Sequence, residues 1–434
     1  MDSLKSYFSI IDPRLLSHVK GKTGEFIRIF QEQEYISEAA FRQRICGEKH
    51  NRNYYQELKT RTLRILQALA ITSTLEGNSL VKKKYDFCLK KFTIGQKFLN
   101  QGQRKEGLRL IKQAYKIAIG FDFVHLACEI TSILYHNHIY YHPHSGKAAF
   151  YFQQSKQYQI DYLAEKAAEH QFYHIIGQLK GIGEPKQFEE AISEVEQWKG
   201  KSLKYKVYIS MIKVLHGMNT ANYDLVIDSC NDALHSFEKK KGVYSSHFYF
   251  FYYYKAISSM AIARFEDANS NFILAEKFTV AKSTNDYLLR LYRTINALHS
   301  GHYQTAYDLY RKNRYCKYEE IREQFTIIEA YMYFLSQMGY LQLDRPFRIG
   351  KYFNETIKAQ SDKQGNNIII IIAELLYYLA KDKGKFIDRV EAINNYSYRY
   401  ITGKDTRRAK RFIKILCTLP VSYTHLTLPT ILLV

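Results

Sequence analysis

The chain reads Phe265-Glu-Asp-Ala268 in one segment and Tyr303-Gln-Thr-Ala306 in another, and both segments follow one pattern. An aromatic residue precedes an alanine by three positions, and a second aromatic (Phe272 or Tyr310) follows the alanine by four. Residues at these spacings share one face of a helix. The alanine lets a second helix approach while the ring fills the space beside it. Residues 249–313 therefore predict helices that pack in pairs and need further pairs to cover them.

These segments resemble the tetratricopeptide repeats, in which a small residue midway along a first helix precedes an alanine, an aromatic and an alanine in a second helix. One unit matches at Ala256, Ala268, Phe272 and Ala275, with Ser259 in a place that the family gives to a large residue; the next matches at Ala306 and Tyr310, and more loosely at Thr294, Ala297 and Asn313. Further matches are Gly95, Phe98, Gly107, Ile111 and Ala114; Val214, Gly217, Val226, Cys230 and Ala233; and the fragment Phe188-Glu-Glu-Ala191. The resemblance implies an all-α solenoid of stacked antiparallel helix pairs that binds proteins or peptides.

The composition favours the same fold class. Only 6 of the 434 residues are proline, and helix-forming residues dominate the long segments between them. The net charge of +21 favours acidic partners, either an acidic protein or peptide or a nucleic acid. The six cysteines form no CxxC pair, no signal peptide is evident at the start, and the apolar block 368–380 is too short to span a bilayer. We therefore expect a cytoplasmic protein without a membrane segment.

The sequence divides into four parts. Residues 1–75 predict an N-terminal helical cap with helices at 25–33, 38–45 and 54–70, residues 76–320 carry the repeats, and residues 321–419 continue as helices. The first part also resembles the helical portion of a winged-helix DNA-binding domain, in which Lys59, Arg61 and Arg64 would contact phosphates. Residues 420–434 lack charge and helical periodicity and resemble translated sequencing-adapter read-through at the end of a metagenomic reading frame.

The predicted function is a non-enzymatic scaffold for a protein or peptide ligand, with no catalytic residue, cofactor or metal assigned. The histidine-rich segment 136–144 lacks a cysteine or carboxylate pair to complete a zinc site. Because first helices line the concave face in the resembling family, the predicted partner-binding residues are Tyr249, Tyr252, Tyr253, Lys255, Arg290, Arg293 and His299. The alternative hypothesis is a transcriptional regulator that binds DNA through its N-terminal helices and senses a ligand or partner with the solenoid. Stacking of RNA bases on the aromatic run 248–254 is a third.

Overall fold

The computed structural model of the chain describes residues 2–8, 10–32, 37–47, 52–73, 79–182, 188–238, 242–344, 366–382, 384–390 and 407–418. All regular structure within these ranges is helical, which confirms the predicted all-α class. The helices are α1 Asp2–Phe8, α2 Pro13–Ser17, α3 Gly21–Glu32, α4 Glu38–Cys46, α5 Arg52–Thr72, α6 Leu80–Asn100, α7 Arg104–Phe121, α8 Val124–Tyr140, α9 Ser145–Leu179, α10 Phe188–Glu196, α11 Leu203–Asn219, α12 Tyr223–Phe237, α13 Ser245–Ala261, α14 Phe265–Glu276, α15 Thr284–His299, α16 Tyr303–Asn313, α17 Glu319–Gln337, α18 Asn366–Lys381, α19 384–390 and α20 Arg407–Thr418.

The chain forms two compact units, Met1–Tyr162 and Leu163–Val434. In the first unit, α1 to α5 share one apolar core in which Phe26 packs against Phe41 and Tyr55. Ser37 caps α4 by accepting a hydrogen bond from the Ala40 amide. Helices α3, α4 and α5 confirm the three helices predicted in this segment. Helices α1 and α2 were not predicted, because each is shorter than the window over which a helical period can be detected.

Four hairpins of neighbouring helices contain the predicted repeat residues: α6/α7 in the first unit, and α11/α12, α13/α14 and α15/α16 in the second. The two helices of each hairpin are antiparallel: later residues of the first helix contact earlier residues of the second. In α6/α7, the Cys88 thiol lies 3.3 Å from the Ala114 carbonyl oxygen. Nearer the turn, a Cβ built on Gly95 would lie 3.2 Å from the Gly107 carbonyl oxygen.

The four hairpins share the same turn of three residues. The middle residue has a left-handed backbone, and the amide of the third donates to a carbonyl five residues earlier, which satisfies the end of the first helix as a Schellman motif does. The third residue then starts the second helix by accepting from an amide four residues later. The middle residues are Gly102 (φ 79°), Ala221 (φ 54°), Ala263 (φ 61°) and Gly301 (φ 77°).

Aligned on these turns, the residues that carried the resemblance occupy equivalent buried positions. Positions are counted here from the middle residue of each turn. Seven positions before it, each first helix has a buried residue at the helix–helix contact. The second helices bury the residues five, nine and twelve positions after it. The four equivalent sets are Gly95, Gly107, Ile111 and Ala114; Val214, Val226, Cys230 and Ala233; Ala256, Ala268, Phe272 and Ala275; and Thr294, Ala306, Tyr310 and Asn313.

Within the second unit the hairpins pack in series. Each first helix contacts its own second helix and also the next first helix along the chain, from α11 to α13, α15 and then α17. Each second helix also contacts the first helix that follows it. Beyond α17, a smaller core joins Phe334 to Leu375 and Leu376 of α18, Phe386 of α19 and Ile413 of α20.

Some of the sequence-based predictions concern residues that lie partly or wholly outside the described ranges. Residues 345–365 and 391–406 of the predicted helical continuation, and the anomalous segment 420–434, lie outside the described residues. The winged-helix hypothesis predicts a β-hairpin within residues 49–80, and the described part of that stretch, 52–73 and 79–80, contains no strand. None of the described helices combines the length and the apolar character that crossing a bilayer would require.

Candidate functional site

Two of the predicted partner-binding tyrosines are interior residues. Tyr249 and Tyr253 are 8% and 9% exposed, and their rings stack with centroids 5.4 Å apart. The Tyr249 hydroxyl donates to the carbonyl oxygen of Asn285 at 3.1 Å, and the Tyr253 ring packs edge-on against Tyr292. Burial raises the pKa of both phenols. These two side chains therefore hold α13 against α15 and offer little surface to a partner.

The predicted arginines are held by carboxylates of the same unit. Arg290 pairs with the buried Asp286 at 2.8 Å and donates to the side chain of Asn313, which ties α15 to α16. Arg293 reaches back to Glu276 at the end of α14, at 2.7 Å. Both guanidinium groups thus connect neighbouring helices, and a partner would have to compete with these ion pairs.

The other three predicted residues are more accessible. The Tyr252 ring is partly exposed and lies parallel to Phe278, with centroids 6.1 Å apart. Lys255 is partly exposed and forms no ion pair within the described part of the chain. His299 is exposed at the end of α15, where its ring stacks on Phe265. These three residues therefore keep a face that a partner could reach without breaking an ion pair of the described residues.

Two equivalent triplets of apolar side chains lie at partly exposed positions on the first helices α13 and α15, where they also pack against the core. On α13 it consists of Phe250, Tyr254 and Ile257, and on α15 of the equivalent residues Leu288, Tyr292 and Ile295. Their spacing of four and then three residues places each triplet on one helix face. All six side chains are partly exposed and none is charged. We call these six residues the first-helix strip; its two triplets adjoin at Tyr254, Ile257 and Tyr292, which pack against one shared core cluster.

The equivalent residues of α11 are covered. Ile212 and Leu215, which correspond to Tyr254 and Ile257, are buried in a core with Ala164 and Ala168 of α9. Phe250 and Tyr254 of α13 also pack against this core, yet both stay partly exposed. The face is therefore closed at Ile212 and Leu215 and remains partly open on α13 and α15.

Within the aromatic run 248–254, the sequence-based prediction named Tyr249 and Tyr253, which are buried, and did not name Phe250 and Tyr254, which are partly exposed. Seven consecutive aromatics contain no period, so the run itself does not reveal which rings face outward. On α15, Leu288, Tyr292 and Ile295 form an i, i+4, i+7 series, but the apolar neighbours Leu289 and Leu291 obscure it in the sequence.

The predicted DNA-contacting residues lie on α5. Arg61 and Arg64 are exposed, whereas Lys59 is half-buried and pairs with Glu38 of α4 at 2.6 Å. The Lys59 hydrogen bond lowers the pKa of the Glu38 carboxyl, although partial burial opposes this effect. Two of the three bases are therefore free to meet a phosphate, and the third is part of the α4–α5 contact.

Metal-binding side chains do not cluster in the ranges that the structure covers: nowhere do three histidine, cysteine, aspartate or glutamate residues come close enough to hold an ion. Within the predicted histidine-rich segment, His138 is buried, with Nδ1 3.3 Å from the His142 carbonyl oxygen. Comparison with known proteins found no protein-family model and no curated protein that matches the chain.

Proposed function

We propose that this protein is a non-enzymatic scaffold, a tetratricopeptide-like α-solenoid, that binds a protein or peptide along the first-helix strip. One observation carries the proposal: six apolar and aromatic side chains occupy equivalent, partly exposed positions on two adjoining first helices. An amphipathic or extended segment can bury its apolar anchors on such a surface, and the Tyr254 and Tyr292 hydroxyls can remain hydrogen-bonded at its edge.

The chemistry of the partner follows from the strip and its surroundings. The strip is uncharged, so the residues seated on it would be apolar. The chain as a whole carries a net charge of +21, which accelerates the approach of acidic molecules. A peptide with apolar anchor residues and acidic flanks satisfies both conditions, and the partly exposed Lys255 follows Tyr254 of the strip directly in the sequence.

The test begins with peptides selected by display against the full chain, whose binding is then measured by fluorescence anisotropy. We expect Ile257→Glu and Ile295→Glu each to weaken binding at least tenfold, because each places a carboxylate where an apolar anchor would be buried. Both positions are partly exposed, so the free protein should keep its helical circular dichroism spectrum.

The matched control is Ile273→Glu on the second helix α14, where the side chain is 43% exposed and lies outside the strip. This variant introduces the same negative charge on the helix that lies between α13 and α15 in the chain. It should bind the selected peptide as tightly as the wild type does. Equal weakening by Ile273→Glu, wild-type binding by both strip variants, or a selection that yields no peptide would refute the proposal.

The alternative of a DNA-binding regulator has less support. Its N-terminal helices share one core with exposed Arg61 and Arg64 at the surface, yet residues 52–73 and 79–100 contain no strand for a wing. Lys59, the third predicted contact, is already paired with Glu38.

A further inference from the structure

One face of α6 carries exposed apolar side chains at a regular spacing. Leu80, Phe87 and Ile94 recur every seven residues and are 59%, 47% and 47% exposed. Residues seven apart lie nearly above one another on a helix, because two turns contain about 7.2 residues. Helix α7 packs along α6 through other positions, such as Cys88 and Gly95, and leaves these three side chains open. We call Leu80, Phe87 and Ile94 the α6 ridge.

The equivalent face of the other first helices contacts a neighbouring helix. Phe87 and Ile94 lie fifteen and eight positions before the middle residue of their turn. At the first of these positions α13 has Phe248, whose ring packs edge-on against Phe237 at the end of α12, with centroids 5.2 Å apart. At the second position α15 has Arg293, which pairs with α14, and α11 has a lysine that pairs with α10. In each case the partner lies on the helix that precedes in the chain.

Helix α5 precedes α6 but does not take this place. It packs in the apolar core of α1 to α5 through residues such as Tyr55, Leu58 and Leu66. Beyond its end, the Ser73 carbonyl oxygen accepts a hydrogen bond from Lys90 Nζ at 2.7 Å, beside the ridge. The side chains of the α6 ridge nevertheless remain about half exposed. The hairpin α6/α7 therefore presents a face that a preceding helix contacts in the later hairpins.

Lysines border the ridge on both sides. By helical geometry, Lys83, Lys90 and Lys97 lie along one side of it, and Lys84 and Lys91 lie along the other. Lys90 is paired with Asp86 at 2.6 Å, and Lys91 donates to the side chain of Gln113 on α7. The other three lysines form no ion pair within the described part of the chain. The ridge is therefore an apolar row whose two edges keep positive charge for a partner.

We propose that the α6 ridge docks an acidic amphipathic helix of a partner protein. Apolar side chains repeated every seven residues form the seam between paired helices, and charged residues at the edges of the seam select the partner. Glutamates along both edges of the incoming helix would pair with the lysines beside the ridge. A second copy of this chain, docked through the same face, would instead set lysines against lysines. A single apolar row is also narrower than the face with which an amphipathic helix enters a lipid surface.

The test begins with a displayed library of helical peptides of about three heptads, in which glutamates are fixed at the edges and apolar residues vary along the seam. Peptides selected against the full chain are then measured by fluorescence anisotropy. We expect Phe87→Glu and Ile94→Glu each to weaken binding at least tenfold, because each places a carboxylate where apolar side chains would meet. The matched control is Ile119→Glu on α7, where the side chain is 46% exposed and lies off the ridge. It should bind the peptides as tightly as the wild type does.

Two further comparisons keep this test independent of the first-helix strip and of the general charge. The strip shares no residue with the α6 ridge, so Ile257→Glu should leave these peptides bound. Lys83→Glu/Lys97→Glu should weaken them at least tenfold, because it reverses the charge at one edge of the ridge. Lys112→Glu/Lys116→Glu reverses two exposed lysines of α7 and changes the net charge equally, yet it should have a much smaller effect.

The ridge variants alter exposed side chains, so they should keep the wild-type helical circular dichroism spectrum. If Phe87→Glu fails to fold, Ile94→Glu and the lysine pairs decide the test. The proposal is wrong if no peptide is selected, if the ridge variants bind the peptides normally, or if the two lysine pairs weaken binding equally. It is also wrong if the ridge variants retain the peptides but lose binding of the chain to phosphatidylserine vesicles, since the ridge would then contact a membrane.

Discussion

Gly217 and Val226 face each other where α11 and α12 come closest. A Cβ on Gly217 would lie 2.6 Å from Val226 Cγ2, too near for any real contact. At the equivalent positions of the next two hairpins the residues are Ser259 opposite Ala268 and Ala297 opposite Ala306. A larger residue on one helix therefore goes with a smaller one on the other, which conserves the space between the helices.

This complementarity predicts non-additive stability. Gly217→Ala should lower the free energy of unfolding by about 2 kcal/mol through overpacking. Val226→Ala should lower it by roughly 2 kcal/mol through an unfilled cavity. The double variant has the Ala–Ala combination of α15/α16 and should cost less than the sum of the two by about 1 kcal/mol. Urea unfolding followed by circular dichroism measures all three.

The control for this cycle is Gly120→Ala near the end of α7, where an added Cβ meets nothing within 4 Å. It should leave stability unchanged or raise it by up to about 1 kcal/mol, because alanine favours the helix. Strictly additive effects at Gly217 and Val226 would mean that the two helices do not compensate each other in volume.

At the scale of the secondary-structure elements, the same three-residue turn joins the two helices of each hairpin, although the sequences of the four hairpins differ. Its middle residue is glycine in α6/α7 and α15/α16 but alanine in α11/α12 and α13/α14. A left-handed backbone costs an alanine about 1 kcal/mol or more, whereas glycine adopts it freely. The turn geometry is thus retained at alanine positions because the packing of the two helices compensates for the strain.

Reciprocal substitutions test this account of the turn. Gly301→Ala should lower the free energy of unfolding by about 1 kcal/mol. Ala263→Gly should raise it by a few tenths to about 1 kcal/mol, since strain relief slightly exceeds the added freedom of the unfolded chain. Ala281→Gly is the matched control, because Ala281 lies in a turn but does not itself have a positive φ, so its change relieves no strain and should destabilise. Destabilisation by Ala263→Gly and Ala281→Gly alike in urea unfolding would contradict the strain argument.

The elements also show what the sequence could predict. The buried contacts between the two helices of a hairpin recur at constant distances in sequence from the turn. The spacing of Ala268 and Phe272 was therefore enough to predict which positions are buried. The surface could not be found in the same way. Arg293 finds its partner in Glu276, seventeen positions away on another helix, and no local spacing announces that pairing. Within the run 248–254, the neighbouring helix decides that Tyr253 is buried while Tyr254 stays partly open.

At the scale of the whole molecule, the net charge of +21 separates two explanations of any DNA binding. A general excess of lysine and arginine attracts any polyanion and releases counterions on contact, so binding falls steeply with salt at every sequence. A dedicated DNA-binding helix would instead place most of the phosphate contacts in one element. For this chain that element would be α5, through Arg61 and Arg64.

We expect general attraction. Labelled duplex DNA should bind at about 50 mM salt and be largely released by about 200 mM in a fluorescence-anisotropy titration. Arg61→Gln/Arg64→Gln and the exposed pair Lys83→Gln/Lys97→Gln remove equal charge from the first unit, so they should lower the affinity and the salt slope equally. A decrease of about two in the slope for the α5 pair alone would show that two phosphates are bound there, since each lost contact lowers it by about one. In that event the regulator hypothesis would displace the scaffold, because non-specific attraction cannot distinguish two pairs of equally exposed charges.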